Sequence, residues 1–153
     1  MLVHDLMPHL RDAMEPVVLN IGSTFGSIGH PGFSAYCASK FGLRGFSEAL
    51  RRELADTPVR VCYLAPRATR TELNGPRVDA LNSALGVQSD APVLVAAEVL
   101  RALQEPARFR IFLGWPEKLF VFLNSLLPRL VDQALRKQLP VIKRFAHQED
   151  MPS

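Results

Sequence analysis

Cysteine is scarce in this chain. Of 153 residues only Cys37 and Cys62 carry thiols; one falls in an expected helix and the other in an expected strand, so both read as small core residues. That excludes a disulfide-stapled scaffold and makes a reducing cytoplasm the default compartment. Long apolar runs are missing too. No stretch reaches the eighteen or so apolar residues of a spanning helix, and Met1-Leu2-Val3-His4-Asp5 has no basic segment leading into an apolar one, so neither a membrane span nor a secretory leader is expected. A block of Lys and Arg interleaved with aromatics is absent and the formal charge is only +3, which argues against nucleic acid as a partner. No repeat, low-complexity tract or metal-ligand spacing is present. What remains, 48% apolar and 22% charged residues over a one-domain length, is an ordinary globular composition.

The chemistry concentrates between Val17 and Lys40. Val17-Val18-Leu19-Asn20-Ile21 is a short unalternating run, the pattern of a strand covered on both faces of a parallel sheet. Gly22, Gly26, Gly29 and Gly32 punctuate a turn, and a helical pattern begins at Ser34, an expected N-cap. Ser23 therefore stands just past the strand's carboxyl end, on the rim where open α/β sheets bind ligands. Tyr36 and Lys40 are four residues apart and stack on one helix face. An ammonium about 5 Å from a phenol favours the phenolate by roughly 3 kcal/mol at an effective dielectric of about 20, so the pair is suited to passing a proton. Ser23 would add a neutral donor that orients a carbonyl or alcohol oxygen. The bland alternative makes Tyr36 an ordinary helix residue and Lys40 its solvated neighbour, while Ser27 fits a turn, Ser34 a cap and Ser39 a packing contact.

Ser23, Tyr36 and Lys40 resemble the Ser and Tyr-x-x-x-Lys set of the short-chain dehydrogenase/reductases, with the same thirteen-residue step from serine to tyrosine. Asn20-Ile21-Gly22-Ser23 before the turn, Gly29-His30-Pro31-Gly32 within it and Ala38-Ser39-Lys40-Phe41-Gly42-Leu43 after it agree as well. A bare Tyr-x-x-x-Lys is weak evidence; the whole string is strong. The resemblance implies an α/β fold, the C-terminal part of a Rossmann-like doubly wound parallel sheet with about three strands and flanking helices. It also implies NAD(P)-dependent interconversion of carbonyl and alcohol by hydride transfer, with Tyr36 as acid/base, Lys40 steadying the tyrosine and the cofactor ribose, and Ser23 holding the substrate oxygen.

By the same resemblance the cofactor would touch Tyr36, Lys40, Pro66, Thr69 and Thr71. Relatives carry Pro-Gly where this chain has Pro66-Arg67; the arginine either hinders close backbone approach, places a positive charge near an anionic ligand, or has no role. The family's Thr-Gly-x-x-x-Gly-x-Gly loop, which cradles the cofactor pyrophosphate, has no counterpart in the 153 residues. Weak NAD(P) binding by this chain alone is therefore expected, with no readable preference between NAD and NADP. Helices over 1–13 and 34–56 match those that pair in family dimers, which implies a homo-oligomer, although a helix that only covers the sheet needs no partner. In the family the Val17 strand has neighbours on both sides; an open edge here would favour pairing with another chain.

Elsewhere the periodicity predicts helices over 77–85 and 93–104 and strands over 59–65 and 109–114. Residues 1–114 form the expected catalytic region and 115–153 a helical extension. Within it, 116–139 is an apolar stripe with basic flanks, interrupted at Pro128, which suggests either peripheral membrane contact or a terminal helix packed on the domain. Two functional classes stay open: an NAD(P)-dependent oxidoreductase acting on a small carbonyl or alcohol and incomplete as this chain, or a non-catalytic interaction or dimerisation module.

Overall fold

A computed structural model describes residues 2–72 and 74–146. Met1 of the first expected helix and 147–153 of the expected extension lie outside the described residues. The elements are α1 (Leu2–Asp12), β1 (Val17–Ile21), a 3-10 turn (Thr24–Gly26), α2 (Ser34–Glu53), β2 (Arg60–Ala65), α3 (Pro76–Ala84), α4 (Pro92–Gln104), β3 (Arg110–Phe112), α5 (Glu117–Leu126) and α6 (Pro128–Ala146). The strands form one parallel sheet in the order β1-β2-β3, with Val17 beside Arg60, Ile21 beside Leu64 and Leu64 beside Ile111.

Apolar residues on both faces of β2 explain why helices cover both. On one face Val61 packs with Leu50 of α2 and Leu54 just past its end, joined by Val3, Met7 and Leu10 of α1. On the other, Leu64 and Ile111 pack with Ala102 of α4. This is the helix-sheet-helix layering of an α/β fold. Cys37 and Cys62 are free and buried, as small core residues.

Three local expectations are corrected. Ser34 is the first helical residue and Phe33 occupies the cap, with no side-chain cap bond; the Cys37 N–H closes the first turn on the Phe33 carbonyl at 2.7 Å. α2 stops at Glu53, short of 56, where Thr57 Oγ1 donates to the Leu54 carbonyl at 2.8 Å ahead of Pro58. The stripe over 116–139 is two helices broken at Leu127. Pro128 begins the second, where its missing N–H leaves no helix bond unmade. α6 then runs through Pro140 to Ala146 because burial of Val131 and Ile142 holds both ends of it to the body.

Candidate active site

β1 delivers the chain to Gly22, and β2 dictates what can follow. Tyr63 lies beside Asn20 in the register, and a Cβ on residue 22 would come within 2.2 Å of its ring, so only glycine fits. The Tyr63 hydroxyl then donates to the Ser23 carbonyl at 3.3 Å and accepts from the Ser23 N–H at 3.4 Å, holding that residue's backbone from both sides. Burial pushes the Tyr63 phenol up, so it remains protonated and able to donate. Ser23 Oγ accepts from the Phe25 N–H at 3.1 Å and caps the 3-10 turn. Accepting there leaves the hydroxyl proton available to a third group.

Tyr36 and Lys40 project from α2. Lys40 Nζ lies 5.6 Å from the Tyr36 ring centroid and donates to the Ile21 carbonyl at 3.3 Å, at the end of β1. The Tyr36 ring meets the edge of Phe25 at 6.2 Å, and Phe25 stacks on His30 at 4.7 Å. Burial holds His30 below the usual imidazole range. Ser23, Tyr36 and Lys40 are thus tied into one patch through Phe25 and the end of β1. Tyr36 is 44% exposed, which leaves its phenol open to a ligand.

The competing hydroxyls are otherwise engaged. Ser27 is buried and accepts from Arg44 Nη1 at 2.7 Å, and Arg44 Nε pairs with Glu48 at 3.1 Å. Ser39, read from the sequence as a packing contact, is exposed and donates back to the Tyr36 carbonyl at 2.7 Å. The Ser27 carbonyl receives Asn124 Nδ2 at 2.9 Å, which fastens α5 to the turn. Asn124, Arg44 and Tyr63 are contributors that sequence reasoning missed. Gly22 was the nearest available signal for Tyr63, since a strand-end glycine marks close approach by something.

The loop after β2 is only partly joined to this patch. The Pro66 carbonyl accepts from both Thr24 N and Thr24 Oγ1, at 3.1 and 3.2 Å. Thr69 pairs instead with Asp90, and its carbonyl accepts from Asn74 Nδ2 at 2.9 Å; Thr71 is exposed. None of these bonds reaches Ser23, Tyr36 or Lys40. Arg67 is not directed at an anionic ligand. Its Nη2 donates to Asp90 at 2.6 Å and its Nη1 to Gln88 at 3.0 Å, with Glu117 of α5 at 3.6 Å. The Asp90 bond keeps the guanidinium firmly charged and neutralised in place. Gly114, at φ +91, passes where a Cβ would strike Arg67 and Glu117.

These residues suit the reactive end of a nicotinamide nucleotide: an exposed phenol, an ammonium one turn away, and a hydroxyl with a free proton. They do not extend to a pyrophosphate cradle. Gly32, ahead of α2, has φ +82, but a Cβ there would already meet Ile142 of α6 at 3.2 Å. Among the described residues no group of His, Cys and carboxylates is placed to hold a metal ion.

Residues 1–82 match the family described as short chain dehydrogenase. The putative oxidoreductase SadH of Mycobacterium tuberculosis is 45% identical over 67 residues, 42% of this chain and 24% of that protein. Dehydrogenase/reductase SDR family member 7B of Bos taurus is 31% identical over 147 residues, 90% of this chain and 45% of that protein. Among solved structures, a short-chain dehydrogenase from Streptomyces avermitilis superposes with a TM-score of 0.67 at 27% identity, over 93% of this chain and 57% of that one. One from Burkholderia cenocepacia, in complex with NADP, gives a TM-score of 0.68 at 19% identity, over 87% of this chain and 52% of that one, a likeness of fold. The chain spans about half or less of the length of these curated relatives.

Proposed function

Since this chain belongs to the short-chain dehydrogenase family, we propose that it carries the proton-handling part of an NAD(P)-dependent oxidoreductase that interconverts a small carbonyl compound and its alcohol. The observation that carries the reading is the patch itself: Lys40 Nζ, 5.6 Å from the Tyr36 ring, is anchored on the β1 terminus beside Ser23. A bound reduced nicotinamide would supply hydride to the carbonyl carbon. Tyr36 gives its proton to the oxygen as the C=O π bond becomes O–H, and in the reverse direction takes it back. The Lys40 ammonium favours the resulting phenolate, and the Ser23 hydroxyl donates to the same substrate oxygen. Lys40 would also hold the nicotinamide ribose, and Pro66, Thr69 and Thr71, on the loop after β2, would supply contacts to the carboxamide side.

In this reading residues 1–114 are the catalytic part and 115–153 an addition to it, and α1 with α2 forms the contact with a second copy. The described residues form no pyrophosphate cradle, so in this reading they would hold the nicotinamide end of the cofactor and little else. Reduced nicotinamide mononucleotide should therefore bind about as weakly as NADPH. Titration of each into isotope-labelled protein, followed by NMR, is expected to shift amides of 22–25, 36–40 and 66–71 with dissociation constants within about threefold of each other. Lys40→Met should weaken both. Unchanged spectra up to millimolar ligand, or shifts confined to other residues, would overturn the reading.

A further inference from the structure

The helix α5 is turned inside out. Glu117, Val121 and Asn124, spaced four and three residues apart, share one face, and that face is the one fastened to the body through Arg67 and the Ser27 carbonyl. Leu119, Phe122 and Leu126 share the opposite face and are 41%, 58% and 61% exposed. Just ahead of the helix stands Trp115, 69% exposed, and just after it Leu127 and Leu130 are open as well. A helix of a water-soluble body normally presents these two faces the other way round.

α6, packed against α5, has the ordinary arrangement with an unusual charge. Val131, Leu135, Leu139 and Ile142 form its inward stripe. Its exposed positions carry Arg129, Arg136, Lys137, Lys143 and Arg144, against Asp132 as the helix's only acid. The described residues therefore place an outward apolar face beside a helix with four net positive charges. Two copies meeting through α5 would bring two such cationic helices together, which disfavours a second copy as the occupant. No described helix is long and apolar enough to cross a membrane. An apolar face bordered by cations and led by a tryptophan matches the requirements for lying in the headgroup layer.

We propose that the α5 face and the cationic side of α6 dock the chain on an anionic lipid surface, with Trp115, Phe122 and Leu126 entering the headgroup boundary. Electrostatic attraction brings α6 to the surface and apolar burial of α5 holds it there. The chain has a single tryptophan, Trp115, so its emission reports on this patch alone.

The full-length chain is to be floated on sucrose gradients with vesicles of phosphatidylcholine alone or of phosphatidylcholine mixed with phosphatidylserine, in low and high salt. The proposal expects flotation with the mixed vesicles, a blue shift of Trp115 emission, and weakening by salt. Two independent exposed variants, Phe122→Ser with Leu126→Ser and Arg136→Glu with Lys137→Glu, should each lose at least tenfold in binding with unchanged far-ultraviolet circular dichroism. Failure of the folded wild type to float with mixed vesicles overturns the proposal. So does equal flotation of either variant, or equal binding to phosphatidylcholine alone. A dimer lost in the Phe122/Leu126 variant without any flotation would assign the face to a second copy, and retention on polyglutamate beads without flotation would assign it to an acidic protein.

Discussion

β1 and β2 are neighbours in one sheet, yet the chain treats them differently. Val61-Cys62-Tyr63-Leu64-Ala65 of β2 is buried throughout, with Leu64 at 0% exposure. Val17-Val18-Leu19-Asn20-Ile21 of β1 is as apolar, but it reaches no fully buried position and ends with Ile21 at 42%. The difference does not follow propensity, since β1 with three β-branched residues is the less buried and β2 with only Val61 the more buried. It is positional: β2 has a strand on each side and helices on both faces, whereas among the described residues β1 pairs with β2 alone. The candidate catalytic patch grows from the end of the less enclosed strand, and it is the enclosed strand, through Tyr63, that holds it in shape.

The sharpest test of that contrast is stability. Leu64→Ala should cost about 2–5 kcal/mol, and Leu19→Ala, in the half-covered strand, about half of that or less, both read from urea denaturation followed by circular dichroism. Equal losses would mean that β1 is as enclosed as β2 in solution, for instance by pairing of its open edge with another chain. Next in size is Gly22→Ala, whose added methyl would meet the Tyr63 ring at 2.2 Å; a loss of about 1–3 kcal/mol is expected in the same assay. Tyr63→Phe, which removes only the hydroxyl bonds to Ser23, should cost about 0.5–1.5 kcal/mol.

The smallest effect is pH dependence, and it belongs to the β1 side. Burial lowers His30 from its usual 6.5, so as the pH falls below about that value the unfolded chain takes up the proton first and stability declines until the folded-state value is passed. The slope cannot exceed about 1.4 kcal/mol per pH unit, and His30→Gln should flatten it in denaturation curves between pH 5 and pH 7.

What could be read from sequence followed the range of the interactions. Val17–Ile21 was legible as a strand because its apolar pattern is local, and Tyr36 over Lys40 because four residues make a helical turn. The doubly wound parallel sheet with flanking helices was implied by the family resemblance, and the unalternating Val17–Ile21 run agreed with it. The double hold of Tyr63 on Ser23 was not legible, since a tyrosine in an apolar run reads as core until the register places it beside Asn20. Nor was the Arg67 clamp, whose partners Asp90 and Glu117 lie 23 and 50 positions further along the chain. Pro128 and Pro140 look alike on paper. One starts a helix and the other is carried inside it, because tertiary burial around Ile142 outweighs a lost backbone bond.

The central claim is that Tyr36 moves a proton to or from a substrate oxygen held beside Ser23. It is tested most directly by hydride transfer from saturating reduced nicotinamide to a panel of small aldehydes and ketones, comparing the wild-type chain with Tyr36→Phe. The account predicts slow but measurable turnover that falls about 10²- to 10⁴-fold in the variant while nicotinamide binding persists. Equal rates in the two proteins, or no turnover by the wild type at saturating cofactor, would contradict it.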